Sequence, residues 1–277
     1  MGSVMSLSES FQLSYTSVVI LMMILSVSAV TSGLSGFGFS AIGAASLWLL
    51  PPSLGIPLLM ALSSANQLMS LKQIRSDMKP LRQWWPNGPA PYILGGLLGV
   101  PLGLEILHSL PTPVLMVCFG AFLITYAGYS IFRRPKQRPN TGGWPSSVLV
   151  GLLGGVIGGF TAFPGALVVI WIGRSGLPKE ESRAIVQPYI FAMQLVSLCM
   201  LAVQHPSTFD ARFWSLFATA VVIVLPSTLL GVRIYKSLSD MNFRRICFTL
   251  LGTSGCAIFS KGLGALGIGT ALALLAH

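Results

Sequence analysis

Four side-chain amides, Asn66, Gln67, Gln187 and Gln194, stand in stretches of chain that are otherwise apolar. Burying an amide without a partner is costly, so each must meet protein, a wet cavity or a ligand. Two interruptions rich in glycine share this setting: Ser32-Gly33-Leu34-Ser35-Gly36-Phe37-Gly38 and Gly158-Gly159-Phe160-Thr161-Ala162-Phe163-Pro164-Gly165. Glycine permits positive φ and close approach, and freed N–H groups at the start of a half-helix attract anions. Ser35, Ser40 and Thr161 add hydroxyl donors without adding charge. The chemistry this favours is recognition of a small anion by hydrogen bonds and helix dipoles. Its candidate groups are Ser35, Gly36, Phe37 and Gly38 in the first interruption and Thr161, Phe163, Pro164 and Gly165 in the second, with Asn66, Gln67, Gln187 and Gln194 beside them.

Each of these signals has a plainer reading. Amides in apolar helices often only bond to neighbouring helices. The series Gly95/Gly99/Gly103 and Gly151/Gly155/Gly159 follow the small-residue spacing that packs helices closely, and packing is the reading favoured for them. Glu105 and Arg233 lie near the ends of apolar runs, where long side chains reach the interface. Arg183, four residues before Gln187, is either a cytoplasmic anchor or a first contact for an entering anion. No acidic residue falls in the middle of an apolar run, which leaves Glu105 as the one candidate for a proton relay. His108, His205 and His277 have no metal-ligand partner at helical spacing, and neither GxSxG nor GxxxxGK[ST] occurs. The residues therefore give no indication of an enzyme, a cofactor or a metal.

The elements that must position these groups are membrane helices. Of 277 residues 53% are hydrophobic and only 9% charged, against about 25% charged in soluble domains. Several apolar runs are long enough to cross roughly 30 Å of hydrocarbon, so the lipid bilayer is the solvent. Helices are expected at 14–32, 37–50, 56–76, 90–107, 112–132, 146–159, 164–174, 183–204, 212–236, 243–260 and 263–276. The Trp84-Trp85-Pro86-Asn87-Gly88-Pro89 stretch is a break whose indoles suit a headgroup interface. Cys118, Cys199, Cys247 and Cys256 fall inside apolar runs without a CxxC pair, and are expected in packing.

The net charge of +10 reflects topology rather than nucleic acid. Four cations lie at 72–82, four at 133–138, three at 174–183 and four at 233–245, so placing those loops in the cytoplasm leaves only Arg212 and Lys261 outside. No Lys or Arg precedes Lys72, so the positive region of a signal peptide is missing, and Glu9 favours an N-terminus outside the cytoplasm. The run 146–174 then leaves and returns to the cytoplasm as a hairpin with short arms and a tip within the membrane. The interrupted run 14–50 leaves and returns on the outer side, and three spans follow each. An odd number of spans inverts one half against the other.

Internal repeats agree. Ala65-Asn66-Gln67-Leu68-Met69-Ser70-Leu71 matches Ala192-Met193-Gln194-Leu195-Val196-Ser197-Leu198 at an offset of 194 − 67 = 127, which also carries Gly38 onto Gly165. Gln67 and Gln194 are expected to face each other's half near a pseudo-twofold axis. The fold class expected is an all-α polytopic membrane protein of two inverted repeats, with a short extra C-terminal helix. Residues 1–132 form the first repeat, 133–145 a cytoplasmic linker, and 146–277 the second repeat with that helix. Inverted repeats place a substrate at their interface near the midplane.

Gly33-Leu34-Ser35-Gly36-Phe37-Gly38, followed by an apolar run, resembles the first-half signature of the TauE/SafE sulfite exporter family, also called the TSUP permeases. Gly158 to Ala166, then Gly176-Leu177-Pro178-Lys179-Glu180, Arg183 and Gln187-Pro188 resemble one branch of it, so the likeness runs from about residue 15 to 260. The resemblance implies secondary transport of small sulfur-containing or organic anions, such as sulfite, sulfonates or sulfoacetate, across a cytoplasmic-type membrane. It leaves the coupling ion, the direction and any homo-oligomer open. The competing expectations are a permease for another small solute and a membrane scaffold that transports nothing.

Overall fold

The computed structural model describes residues 14–73, 80–132, 143–173, 177, 179–235 and 240–267. Ser14 opens α1 (Tyr15–Ser35) by accepting the Ser17 N–H on its hydroxyl. A bend leads to the short α2 (Phe39–Gly43), which tightens into a 3-10 turn over Ala44–Trp48. Three long helices follow: α3 (Pro52–Gln73), α4 (Ala90–Ser109) and α5 (Thr112–Phe132). The second part runs α6 (Gly143–Thr161), the short α7 (Gly165–Ile172), α8 (Lys179–Gln204), α9 (Ala211–Tyr235) and α10 (Asp240–Ala265). Among the described residues every regular element is helical, and seven helices are long and apolar enough to cross a bilayer: α1, α3, α4, α5, α6, α8 and α9.

Each helix expected from 14–32 through 212–236 has an observed counterpart. Three expectations are corrected. The first arm of the second interrupted run is not short: α6 has 19 residues, long and apolar enough to cross, and only the returning arm α7 is short. The break expected after residue 260 is absent. Helix α10 continues to Ala265 because Lys261 and Gly262 serve its packing: the Lys261 ammonium donates to the Leu47 and Trp48 carbonyls, and Gly262 lies against Val117 and Pro113. Cys118, Cys199 and Cys256 are exposed on the outer surface instead of packed inside, since they face away from the helix seams. The linker 133–142, Glu9, the Cys247 side chain and the end of the expected last helix lie outside the described residues.

The surface is inverted relative to a protein folded in water. Leu98, Leu102, Leu149, Val203 and Val222 are more than half exposed, while Ser32, Ser40, Asn66, Gln67, Thr161, Gln187, Gln194 and Thr228 are buried. In lipid the apolar exterior is at no disadvantage, and what must be sequestered is the polar backbone and its side-chain partners. Trp85 and Trp144 stack at a tilt, ring centres 5.3 Å apart, half exposed at one end of the bundle. That suits indoles at a headgroup boundary.

Glycine sets the helix pairing. A Cβ on Gly95 would stand 1.9 Å from the Val148 carbonyl oxygen, and one on Gly99 2.1 Å from that of Leu152. Gly151 lies equally close to Tyr92 and Gly155 to Gly96, so α4 and α6 run parallel with their backbones in contact. The pair α1 and α9 is built alike: Gly33 abuts Thr228, Gly231 abuts Val30, and the Ser26 and Ser227 hydroxyls are 2.9 Å apart. In α5 and α10 the order reverses, with Gly262 against Val117, Gly255 against Leu123 and Gly252 against Ala127, so these two helices are antiparallel. Helices of the first part thus find their closest partners in the second, and α3 and α8 pack together between them.

Candidate functional site

Both chain breaks are built by the same device. At the first, Ser35 ends α1, and Gly36 takes a left-handed φ of 77° with its N–H donating to the Ser32 carbonyl at 2.7 Å. The Ser35 hydroxyl donates to the Thr31 carbonyl at 2.9 Å and accepts the Phe37 N–H at 3.2 Å. At the second, Thr161 ends α6, and Ala162 takes φ 57° with its N–H donating to the Gly158 carbonyl at 2.8 Å. The Thr161 hydroxyl donates to the Ile157 carbonyl at 2.6 Å and accepts the Phe163 N–H at 3.2 Å. A hydroxyl two residues back replaces the helical partner that each turn removes.

These turns align Ser35-Gly36-Phe37 with Thr161-Ala162-Phe163, an offset of 162 − 36 = 126. The expected match of Gly38 with Gly165 is therefore one residue out of register. Gly38 (φ 89°) opens α2 and Pro164 opens α7, and neither helix has a side chain capping its first turn. Gly165 sits just inside α7, where a Cβ would meet the end of Ile190 at 2.6 Å.

The glutamines hold the turns. Gln67 Nε2 donates to the Gly36 carbonyl at 3.2 Å, and Gln194 Nε2 donates to the Ala162 carbonyl at 3.1 Å. The two amides therefore make the same bond, each to the turn of its own part of the chain. Gln194 also reaches across to the Ser40 hydroxyl at 3.4 Å. The expectation that each faces the other half is met only by that last contact, because the nearer turn carbonyl claims the amide nitrogen. Both side chains are almost fully buried, at 1% and 2% exposure, and the Oε1 atoms of Gln67, Gln187 and Gln194 have no hydrogen-bond partner.

Helix α8 adds two groups to the first turn alone. The Arg183 guanidinium donates to the Leu34 carbonyl at 2.7 Å, placing a cation at the C-terminal end of α1, where the helix dipole favours it. The Gln187 amide lies directly over Gly36, with Nε2 only 2.4 Å from where a Cβ would stand. At the same offset of 127 the first part of the chain carries Ile56 and Met60, both fully buried. The polar pair is one-sided.

The other candidates fall around this centre. Phe163 is buried edge-on against Tyr126, ring centres 5.7 Å apart, and Phe37 is half-buried. Asn66 faces elsewhere: its amide donates to Ser32 at 2.7 Å and its oxygen lies 2.6 Å from the Thr228 hydroxyl, which ties α1, α3 and α9 together. Ala162, Thr228 and Ser32 were not singled out from the sequence. The left-handed alanine has no compositional signature, and the serine and threonine look like any small residue in an apolar helix. A crevice of about 360 Å³ opens between α1 and α10 beside Ile42, Ser254 and Ala257, and contains none of the glutamines. Among the described residues no three His, Cys, Asp or Glu side chains converge.

Against this geometry, a model of the sulfite exporter TauE/SafE family matches residues 20–258, with both turns and Gln67, Gln187 and Gln194 included. The chain belongs to the TauE/SafE family. No curated protein and no solved structure matches it. This TauE/SafE chain is accordingly a multi-pass membrane protein of an exporter family, with left-handed turns at Gly36 and Ala162 against its buried glutamines.

Proposed function

We propose that the chain is a secondary transporter for small sulfur-containing or organic anions, such as sulfite, sulfonates or sulfoacetate. The observation that carries the reading is the pair of like turns at breaks in long helices, each held by a buried glutamine. Non-helical backbone within a bilayer is tolerated where it borders protein or a wet cavity, and broken helices of this kind bind solutes in transporters. Donors are available without fixed charge: the uncapped first turn of α7, the second proton of the Gln67 amide, and the Ser40 hydroxyl, which accepts from Gln194 and keeps its own proton. Ser35, Gly36, Phe37 and Gly38 on one side and Thr161, Phe163, Pro164 and Gly165 on the other form the walls. Gln67, Gln187 and Gln194 line the space between, and Asn66 belongs to the scaffold.

Alternating access would exchange the site between the two faces. Two inverted halves, 1–132 and 146–277 joined at 133–145, are supported by the antiparallel α5 and α10, which occupy corresponding places in the two parts. The cation distribution supports a cytoplasmic linker and an external N-terminus in a cytoplasmic-type membrane. The test is thermal unfolding of purified protein with sulfite, thiosulfate, taurine, sulfoacetate and simple carboxylates. A ligand that binds only the folded state raises the midpoint by mass action. Stabilisation by one or more sulfur anions is expected. Stabilisation only by a neutral or cationic solute, or by none of the panel, overturns the reading.

A further inference from the structure

Anions are met by donors, yet the two turn-holding glutamines leave acceptors unmet. The Gln67 nitrogen is fixed on the Gly36 carbonyl and the Gln194 nitrogen on that of Ala162. Reversing either amide would set oxygen against carbonyl oxygen, so these contacts settle which atom is which. Oxygen and nitrogen share one planar group, and each Oε1 therefore lies within an amide's width of its turn. Both oxygens are buried in side chains at most 2% exposed, and neither has a partner. A buried acceptor left unmet is costly, and the natural remedy is a ligand that brings a donor.

A fully ionised oxyanion has no donor and would be repelled by these oxygens. A singly ionised oxyanion that keeps one O–H presents charge to the N–H groups and a proton to an amide oxygen. We propose that the site takes small tetrahedral or pyramidal oxyanions in the singly ionised form that still carries an O–H, donated to Gln67 Oε1 or Gln194 Oε1. This rests on the anion-transport reading above and narrows it to sulfite-like anions in one ionisation state, setting aside simple sulfonates, which have no O–H. It also accounts for spans that carry no acidic residue in their middles. The substrate carries its own proton across, so one negative charge crosses in place of two and no carboxylate relay is required.

Two near-isosteric ligands test this on the intact purified protein. The monoanion of methylphosphonate has an O–H, whereas methanesulfonate, with the same charge and shape, has none. Dissociation constants for both are measured on the acid side of methylphosphonate's second ionisation. Sulfite is then titrated on both sides of its own second ionisation, with methanesulfonate reporting any titration of the protein itself. The expected result is methylphosphonate at least about tenfold tighter than methanesulfonate, the scale of one unmet buried acceptor. Sulfite should weaken as its second proton leaves, while methanesulfonate stays level. If the site excludes both methyl compounds, the sulfite profile alone decides. Equal binding of the methyl pair, or sulfite binding that holds or strengthens on the alkaline side, overturns the proposal but leaves anion transport standing. Binding that requires sodium and ignores the O–H assigns the oxygens to a cation and also overturns it. Failure of every anion overturns both readings.

Discussion

Three demands meet at Gly36. Its φ is 77°, its carbonyl accepts the Gln67 amide, and the Gln187 amide occupies the space a Cβ would need. A left-handed alanine costs on the order of 1–2 kcal/mol before any clash. Gly36→Ala should therefore lower the unfolding midpoint and weaken anion binding by displacing Gln187. At the second turn the same conformation is already held by an alanine, Ala162, so Ala162→Gly should leave the midpoint unchanged or raise it. A fall for both variants in thermal unfolding would show that the conformational argument does not govern these turns. Gln67→Ala and Gln194→Ala should each weaken anion binding by about 1 kcal/mol or more, the value of a buried hydrogen bond with its turn disturbed. Arg183→Gln should loosen the end of α1 with a smaller effect on affinity, because its guanidinium is engaged with Leu34. If Arg183→Gln alone abolishes binding in folded protein while both glutamine variants bind normally, recognition rests on an ion pair. The amides were legible in the sequence because polar groups in apolar runs must have a reason. Their partners were not, since which carbonyl an amide reaches is decided by packing between distant segments.

At the scale of elements, the seam between α4 and α6 brings backbones closest among the described glycines. Substituents there would meet main chain instead of yielding side chains. A Cβ at Gly99 falls 2.1 Å from the Leu152 carbonyl oxygen, whereas one at Gly128 meets nothing within 4 Å. Gly99→Ala should thus destabilise the protein by about 1–3 kcal/mol, the range of overpacked cores, and Gly128→Ala should be neutral or slightly favourable through helix propensity. Melting of the two variants in detergent checks the contrast, and similar midpoints would remove the seam from the account of stability. The four-residue glycine spacing made this seam readable in advance. The continuation of α10 past residue 260 was not readable, because Ser260-Lys261-Gly262 has the composition of a helix stop. Only the carbonyls that Lys261 reaches from outside its own helix explain why it does not act as one.

For the whole molecule, composition was enough to name the solvent, since 9% charged residues cannot clothe a surface in water. Orientation is the part that calls for measurement. On a background lacking the native cysteines, three of which are exposed on the outer surface, a cysteine in the 133–142 linker and one at Ser207 should be labelled from opposite faces. Labelling of both from one face would remove the inverted arrangement. The exchange of partners between the two parts of the chain was invisible in the sequence, because small residues advertise a seam without saying which helix fills it.

That exchange bears on how the protein is made. Helix α1 is synthesised first, yet its partner α9 follows much later; Ser26 and Ser227, which meet in the finished fold, are 201 positions apart. For most of translation α1 must wait in the bilayer with its polar seam uncovered. It is partly equipped for this: Ser28, Thr31 and Ser35 each donate to a carbonyl one turn back in their own helix, while Ser26 waits for Ser227. Asn66 has no such recourse: its oxygen is met by Thr228, a residue not yet made when α3 enters the membrane. A nascent chain stopped before α9 would therefore hold the Asn66 nitrogen on Ser32 but leave its oxygen without the donor that meets it in the finished fold.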